Sequence, residues 1–370
     1  MGSTLFPYNV TWRTVRCLGW LTASSARVRL SGVPRLKGGT ADEIASEALR
    51  LNARDVLWAG AGHFRYLWVS DFGKALAGAS RALPAAYLRG QLELMIGFSR
   101  REGRVTSCFD ARGGFDMPYY RADGLPWLII ALSEYERLTA DASLRREHSA
   151  ALQDLIDVYE RTHFRDGLID AAQTGDWMDT VLRPSSTYNN VCALAMLRRA
   201  PALGLRTAHD PDEMERRLLE DRLRAGFLTD YAGTERESVD APVYALYLEV
   251  FDRPLRERLA ARLEAGGWTR PIPILSAAER YDRRLMPLLT RFSPDYHSTI
   301  WLHLGFMYLN GLRRLGQDVG ERRRALAELI VRHGNIVETL APSGELYSAA
   351  GHATEHGLTM AAGQWLELSA

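Results

Sequence analysis

Tyr119-Tyr-Arg-Ala-Asp-Gly-Leu-Pro-Trp-Leu-Ile-Ile-Ala-Leu132 places one carboxylate, Asp123, inside a cluster of aromatic residues immediately ahead of a long apolar run. Asp123-Gly124 reads as a helix start, and Pro126 falls near the first turn, where a missing N–H costs nothing. From Leu128 to Tyr135 the residues are apolar almost all round, so the helix is expected to be buried on most sides. Asp123 then has two readings. It is either a helix N-cap or a catalytic acid in an aromatic-lined pocket, with Tyr120, Arg121 and Trp127 as neighbours.

Outward from that stretch the pattern is helical nearly throughout. Ala41–Leu57 opens with an acidic first turn, and further segments with helical apolar spacing follow to the C-terminus, about twelve in all. Convincing β-runs are rare, so the class is all-α. Polar and aromatic clusters recur at the starts of alternate helices, beginning at Tyr66, Tyr119, Asp176, Asp240, Asp295 and Glu345. A spacing of about 50–65 residues suits one helical hairpin per unit. Six hairpins closing into a ring bring all six clusters to one end, which is an (α/α)6 toroid over 41–370. A helical solenoid is the alternative, but it needs no such cluster at every turn. Residues 1–40 are expected to form an N-terminal extension or cap of short strands or irregular chain, with Gly38-Gly39 as a linker.

The balance of 46 Lys+Arg against 45 Asp+Glu in 370 residues provides no electrostatic footprint for nucleic acid. Three well-separated cysteines argue against a disulfide framework or a cysteine-rich zinc site. Neither a signal-peptide pattern nor an apolar stretch of about 18–20 residues is visible, so a cytoplasmic protein without a membrane partner is expected. The sequence leaves the oligomeric state open.

Aromatic rings beside Asp, Glu, Asn and Arg suit a carbohydrate, whose C–H faces stack on Trp and Tyr while polar groups read the hydroxyls. Cleaving a glycosidic bond needs two carboxyl groups, one protonated to assist the leaving oxygen and one ionised. Asp71, Asp123, Asp176, Asp179, Asp240, Asp295 and Glu345 are the available carboxylates, and the residues alone do not rank them.

Several of these clusters resemble, in order, the glucosidase domain of the amylo-α-1,6-glucosidase (glycogen-debranching) family. Neutral invertases and glucosylglycerate-type hydrolases are wider kin. Trp68-Val-Ser-Asp-Phe72 resembles the family's W-x-x-R-D stretch, and Tyr119–Trp127 its Y-x-x-x-D-A/S-x-x-L/W segment. Asp166-Gly-Leu-Ile through Gly175-Asp-Trp-Met-Asp179 resembles D-G-L…T-W-M-D, and Tyr296-His-Ser-Thr-Ile-Trp301 resembles Y-H-x-G-T-x-W. Ser343-Gly-Glu-Leu-Tyr347 followed by Gln364-Trp365 resembles P-E-x-(Y/F)…Q-A-W-S. The resemblance implies an inverting α-glycoside hydrolase with Asp123 as general acid, Glu345 as general base and no metal or organic cofactor. It also implies a sugar pocket formed by Tyr66, Trp68, Asp71, Tyr120, Arg121, Trp127, Trp177, Asp179, Asn190, Tyr296, His297 and Trp301. Asn190 stands where the relatives carry a sugar-contacting Glu, and Ser70 where they carry Arg. A compact chain without the family's β-sandwich fits a small α-glycoside better than a branched glucan.

His352-Ala-Thr-Glu-His356 matches the H-x-x-E-H zinc pattern, but only fourteen residues follow it, and polar rim residues are the reading adopted. The toroid also hosts sugar epimerases of the N-acylglucosamine type, for which His297 with His352 or His356 would supply acid and base. A non-catalytic sugar-binding protein is the third alternative.

Overall fold

The computed structural model describes residues 12–116, 121–170, 175–179, 181–286, 295–349 and 352–370. Its outer helices are α2 (Ala41–Asn52), α4 (Ala85–Glu102), α6 (Ser143–His163), α8 (Pro211–Arg222), α10 (Arg253–Ala265) and α12 (Gly320–His333). They alternate with inner helices α3 (Val69–Ala79), α5 (Gly124–Thr139), α7 (Thr187–Arg199), α9 (Asp240–Leu248), α11 (Leu302–Arg314) and α13 (Thr359–Leu368). Each inner helix packs on the next, and α13 returns to α3, so the six close a ring. This is the all-α (α/α)6 toroid that the cluster spacing predicts.

Composition sorts the two layers. All of α9 and α13, and residues 187–197 of α7 and 302–312 of α11, are buried, so these helices are enclosed on all sides. The outer helices bury one stripe each, Met214, Leu218 and Arg222 in α8 and Leu326, Leu329 and Ile330 in α12, and turn Arg and Glu to solvent. Side-chain caps start several of them: Thr40 with Glu43 forms a capping box on α2, and Asp210 and Asp252 cap α8 and α10. The ring closes over small residues. A Cβ added to Gly78 of α3 would fall on the carbonyl oxygen of Gly363 in α13, and one added to Gly363 would fall on Ala75.

Trp12–Ser31 differs from expectation, being a twenty-residue helix, α1, where the sequence suggests strands or irregular chain. Its buried residues, Cys17, Ser24, Ser25 and Val28, keep helical spacing but include two serines, so no apolar stripe marks the face. The Ala26–Leu30 alternation that suggests a strand arises from exposed arginines around Val28. Outside the ring, α1 rests on the loops at the N-terminal ends of the inner helices. Arg13 pairs with Asp110 at 3.2 Å, and the Ala353 N–H donates to Ser25 Oγ at 3.1 Å. Among the described residues, no helix is long and apolar enough to cross a membrane.

Candidate active site

At the N-terminal ends of the inner helices lies a small, partly open cavity. Trp68, Trp177, Tyr296, Trp301 and Phe64 form its aromatic walls, and Met360 adds an apolar contact. Asp71, Lys74, Arg121, Asp179 and Glu338 are its polar groups.

Short backbone pairings bring these residues together. Ile300–Trp301 pairs antiparallel with Thr339–Leu340, and the Leu302 N–H donates to the Glu338 carbonyl at 3.1 Å, so Trp301 and Glu338 are neighbours. A parallel bridge links Arg121 to Gly175, with the Ala122 N–H donating to the Gly175 carbonyl at 3.2 Å. That bridge fixes the 175–179 turn beside the start of α5. Within the turn, Asp176 accepts from the Met178 N–H at 2.8 Å and from Arg183. The buried Arg183 also pairs with Asp230 and Asp240 at 2.8 and 2.9 Å, and Asp240 in turn accepts from Trp177 Nε1 at 2.7 Å. Asp176 and Asp240 are therefore scaffold, and they orient Trp177.

Asp123 stands at the N-cap position of α5, as its sequence suggests, but does not line the cavity. Its side chain makes no capping bond to α5. It is buried and held by Arg121 at 2.9 Å and by the Tyr188 hydroxyl at 2.8 Å, while Tyr188 accepts from Trp127 Nε1 at 2.8 Å. Arg121, anchored also on Ser70 Oγ at 3.1 Å and lying over the Trp68 ring, reaches the cavity in its stead. Glu345 is exposed, at the tip of a turn in which Gly344 takes a left-handed φ of 87°, and it does not line the cavity. The expectation that Asp123 faces Glu345 across a pocket is thus corrected: an ion pair absorbs the first, and a turn carries the second away.

Asp179 and Glu338 are the carboxyl groups that share the cavity with the aromatic walls. Burial pushes the Asp179 carboxyl up to about 7; Arg121 opposes the shift, and the negative charges of Glu338 and Asp71 add to it. Asp71 is also raised by burial, against the pull of Lys74 and Arg121. The Tyr296 hydroxyl is hydrogen-bonded to Glu338, and His352 Nε2 lies 3.4 Å from Glu338 Oε2.

The other expected pocket residues divide. Trp68, Asp71, Arg121, Trp177, Asp179, Tyr296 and Trp301 line the cavity. Trp127 is fully buried behind it, as the support of Tyr188. Tyr66 packs on Trp20 and Phe115 beneath α1. Asn190 is structural: it accepts from the Ile169 N–H at 2.8 Å and donates to the Ser186 carbonyl at 3.0 Å. His297 stacks on Trp301 with planes 6° apart, and burial holds it neutral, down to about 3. Tyr120 lies outside the described residues.

Sequence reasoning missed Phe64, Lys74, Glu338 and Met360. Two of them carried a signal. Lys74 is the one basic residue of the mostly small and apolar α3, where its Nζ lies 5.4–6.0 Å from the ring centres of Trp127, Trp177, Tyr188 and Tyr244. Glu338 stands in Ile336-Val-Glu-Thr-Leu340, a run of strand-forming residues in an α protein.

No family model and no curated protein matches the chain. Solved structures do. The rhamnosidase from Klebsiella oxytoca with rhamnose bound superposes with a TM-score of 0.65 at 16% identity, over 90% of this chain and 64% of that one. The chain therefore spans less than two thirds of the rhamnosidase. The GH63 mannosylglycerate hydrolase from Thermus thermophilus, in complex with Tris, gives 0.65 at 14% identity over 89% of this chain and 100% of that one. A wild-type glycosidase gives 0.64 at 15% identity over 96% of each chain. This chain shares their fold.

Proposed function

We propose that the chain is an inverting glycoside hydrolase acting on a small α-glycoside, foremost an α-glucoside, in the manner of the amylo-α-1,6-glucosidase relatives its motifs resemble. Asp179 is the general acid and Glu338 the general base. The observation that carries the reading is that these two carboxyl groups line one aromatic cavity, where burial raises the Asp179 carboxyl to about 7.

Asp179 gives its proton to the glycosidic oxygen as the bond to the anomeric carbon breaks. Glu338 removes a proton from the water that attacks that carbon from the opposite face. The products are a sugar of inverted configuration and a free alcohol, and proton exchange with solvent restores both groups. Trp177 and Trp301, 5.0 Å apart and nearly perpendicular, present a face and an edge to a sugar ring. Arg121 and Asp71 supply a donor and an acceptor for hydroxyls. The fold neighbours support a small substrate, since rhamnose and glucose occupy two of their structures.

The test is hydrolysis of a panel of α-glucosides, α-mannosides and α-rhamnosides, including glycosides of glyceric acid. Release of sugar by the wild type, lost in Asp179→Asn and Glu338→Gln, is the expected result. Full rates in either variant would refute the assignment.

A further inference from the structure

The H-x-x-E-H letters do not form a helical zinc motif, because residues 352–358 precede α13 as extended chain and turns. Its first histidine nonetheless meets a second imidazole and a carboxylate at the rim of the cavity. His63, Glu338 and His352 bring one ligand atom each within 4.8 Å of one another, and all three are buried. The His352 Nε2 to Glu338 Oε2 separation is 3.4 Å, which equals the edge of about 3.4 Å expected between tetrahedral ligands on bonds of about 2.1 Å.

The surroundings of His63 point to a cation more strongly than the cluster itself. His63 Nδ1 lies 2.7 Å from Glu355 Oε2, which leaves Nε2 as the ring nitrogen facing the cluster. That buried Nε2 has no hydrogen-bond partner among the described residues, and His352 Nε2, also buried, has only its long approach to Glu338. Metal-bound histidines almost always donate their other ring N–H to a carboxylate or carbonyl, which fixes tautomer and ring orientation. Glu355 is built for that task. Its oxygens accept from the backbone N–H groups of Gly62, His63 and His356 at 2.6–2.8 Å, so the carboxylate is fixed before any ion arrives. Charge agrees too, since Glu338 and Glu355 together match a divalent cation. Glu338 lines the cavity, which gives the ion an entry path.

We propose that His63, Glu338 and His352 form a three-ligand site for a divalent transition-metal ion of the zinc type, with Glu355 orienting His63 and the remaining positions open to water from the cavity. Two imidazoles and one carboxylate suit zinc or its first-row neighbours. Because the site takes Glu338, it competes with the base role proposed above and rests on that reading for its consequence: a bound ion switches hydrolysis off.

Equilibrium dialysis of the full chain against zinc chloride tests the site, and zinc-edge X-ray absorption tests its ligands. Expected are one ion per chain, two imidazoles and carboxylate oxygen in the absorption spectrum, and at least tenfold weaker binding in His352→Ala. Glu355→Gln should weaken binding about 10–100-fold through His63. Thermal melts identify any variant that fails to fold, and His352→Gln replaces His352→Ala in that event. Less than stoichiometric zinc on the wild type, or unchanged affinity in a folded His352 variant, would overturn the proposal. Stoichiometric binding that leaves a measurable hydrolysis rate untouched would overturn the inhibitory consequence. A chain that binds zinc yet hydrolyses nothing in chelator would count against the hydrolase reading alone.

Discussion

Replacing Asp179 by Asn should raise stability while removing activity. The carboxyl sits at about 7 in the folded protein, and 3.8 is its ordinary value, so it binds its proton more tightly when folded. For a group raised on folding, the favourable contribution is complete below the ordinary value and is lost as pH rises through the folded one. Above pH 7 the wild type therefore keeps a carboxylate in a place that disfavours its charge. The gap between the ordinary and folded values corresponds to about 4 kcal/mol, and about 2 kcal/mol remains once screening by water in the cavity is allowed for. For a chain of this length, at about 2.1 cal/mol/K per residue, about 2–4 kcal/mol raises Tm by about 3–5 °C. Asn carries no charge to desolvate, so calorimetry at pH 8 should show that rise, and at pH 4 the two proteins should melt together. Loss of the proton donor should lower kcat by about 10²–10⁴-fold. The wild-type rate should fall about tenfold per pH unit above 7, as the protonated fraction falls. A variant that melts at or below wild type at pH 8, or a wild-type rate flat from pH 6 to 9, would refute the reasoning.

Three further substitutions separate structural from chemical roles. Asp123→Ala leaves Arg121 buried without its carboxylate and should cost about 3–5 kcal/mol in urea unfolding, with the alkaline limb of any residual activity unmoved. Glu345→Gln changes an exposed side chain off the cavity, and kcat/KM should stay within about twofold of wild type, surface changes being worth about 0.5 kcal/mol at most. Gly78→Ala drives a methyl group into the α13 backbone at the ring seam, so thermal unfolding should show a loss of about 1–3 kcal/mol or more.

The toroid was legible because each inner helix starts at the same end, so every hairpin repeats an aromatic and acidic cluster near its inner start. The chemistry within those clusters was less so. Asp123 and Asp179 read alike, as carboxylates among aromatics; what separates them is Tyr188, sixty-five positions beyond Asp123, and the Arg121 ion pair. Glu338 and Glu345 lie seven residues apart in one hairpin, and the Leu340 to Leu346 bridge decides which of them turns inward. No local pattern encodes that choice. Helix α1 was hidden for a different reason, since its inward face includes serines that bond and pack without adding hydrophobicity. Asn190 shows the reverse error: a motif position invited a sugar contact, and the side chain instead bonds the backbone of the preceding turn and hairpin.

If Asp179 and Glu338 act from opposite sides of a sugar bound against Trp177 and Trp301, the anomer first released is inverted. Proton NMR of the first-formed product from an α-glycoside tests it most directly. The β-anomer should appear first, before mutarotation, and Asp179→Asn or Glu338→Gln should give no product under the same conditions. Initial release of the α-anomer, or product formed at wild-type rate by either variant, would contradict it.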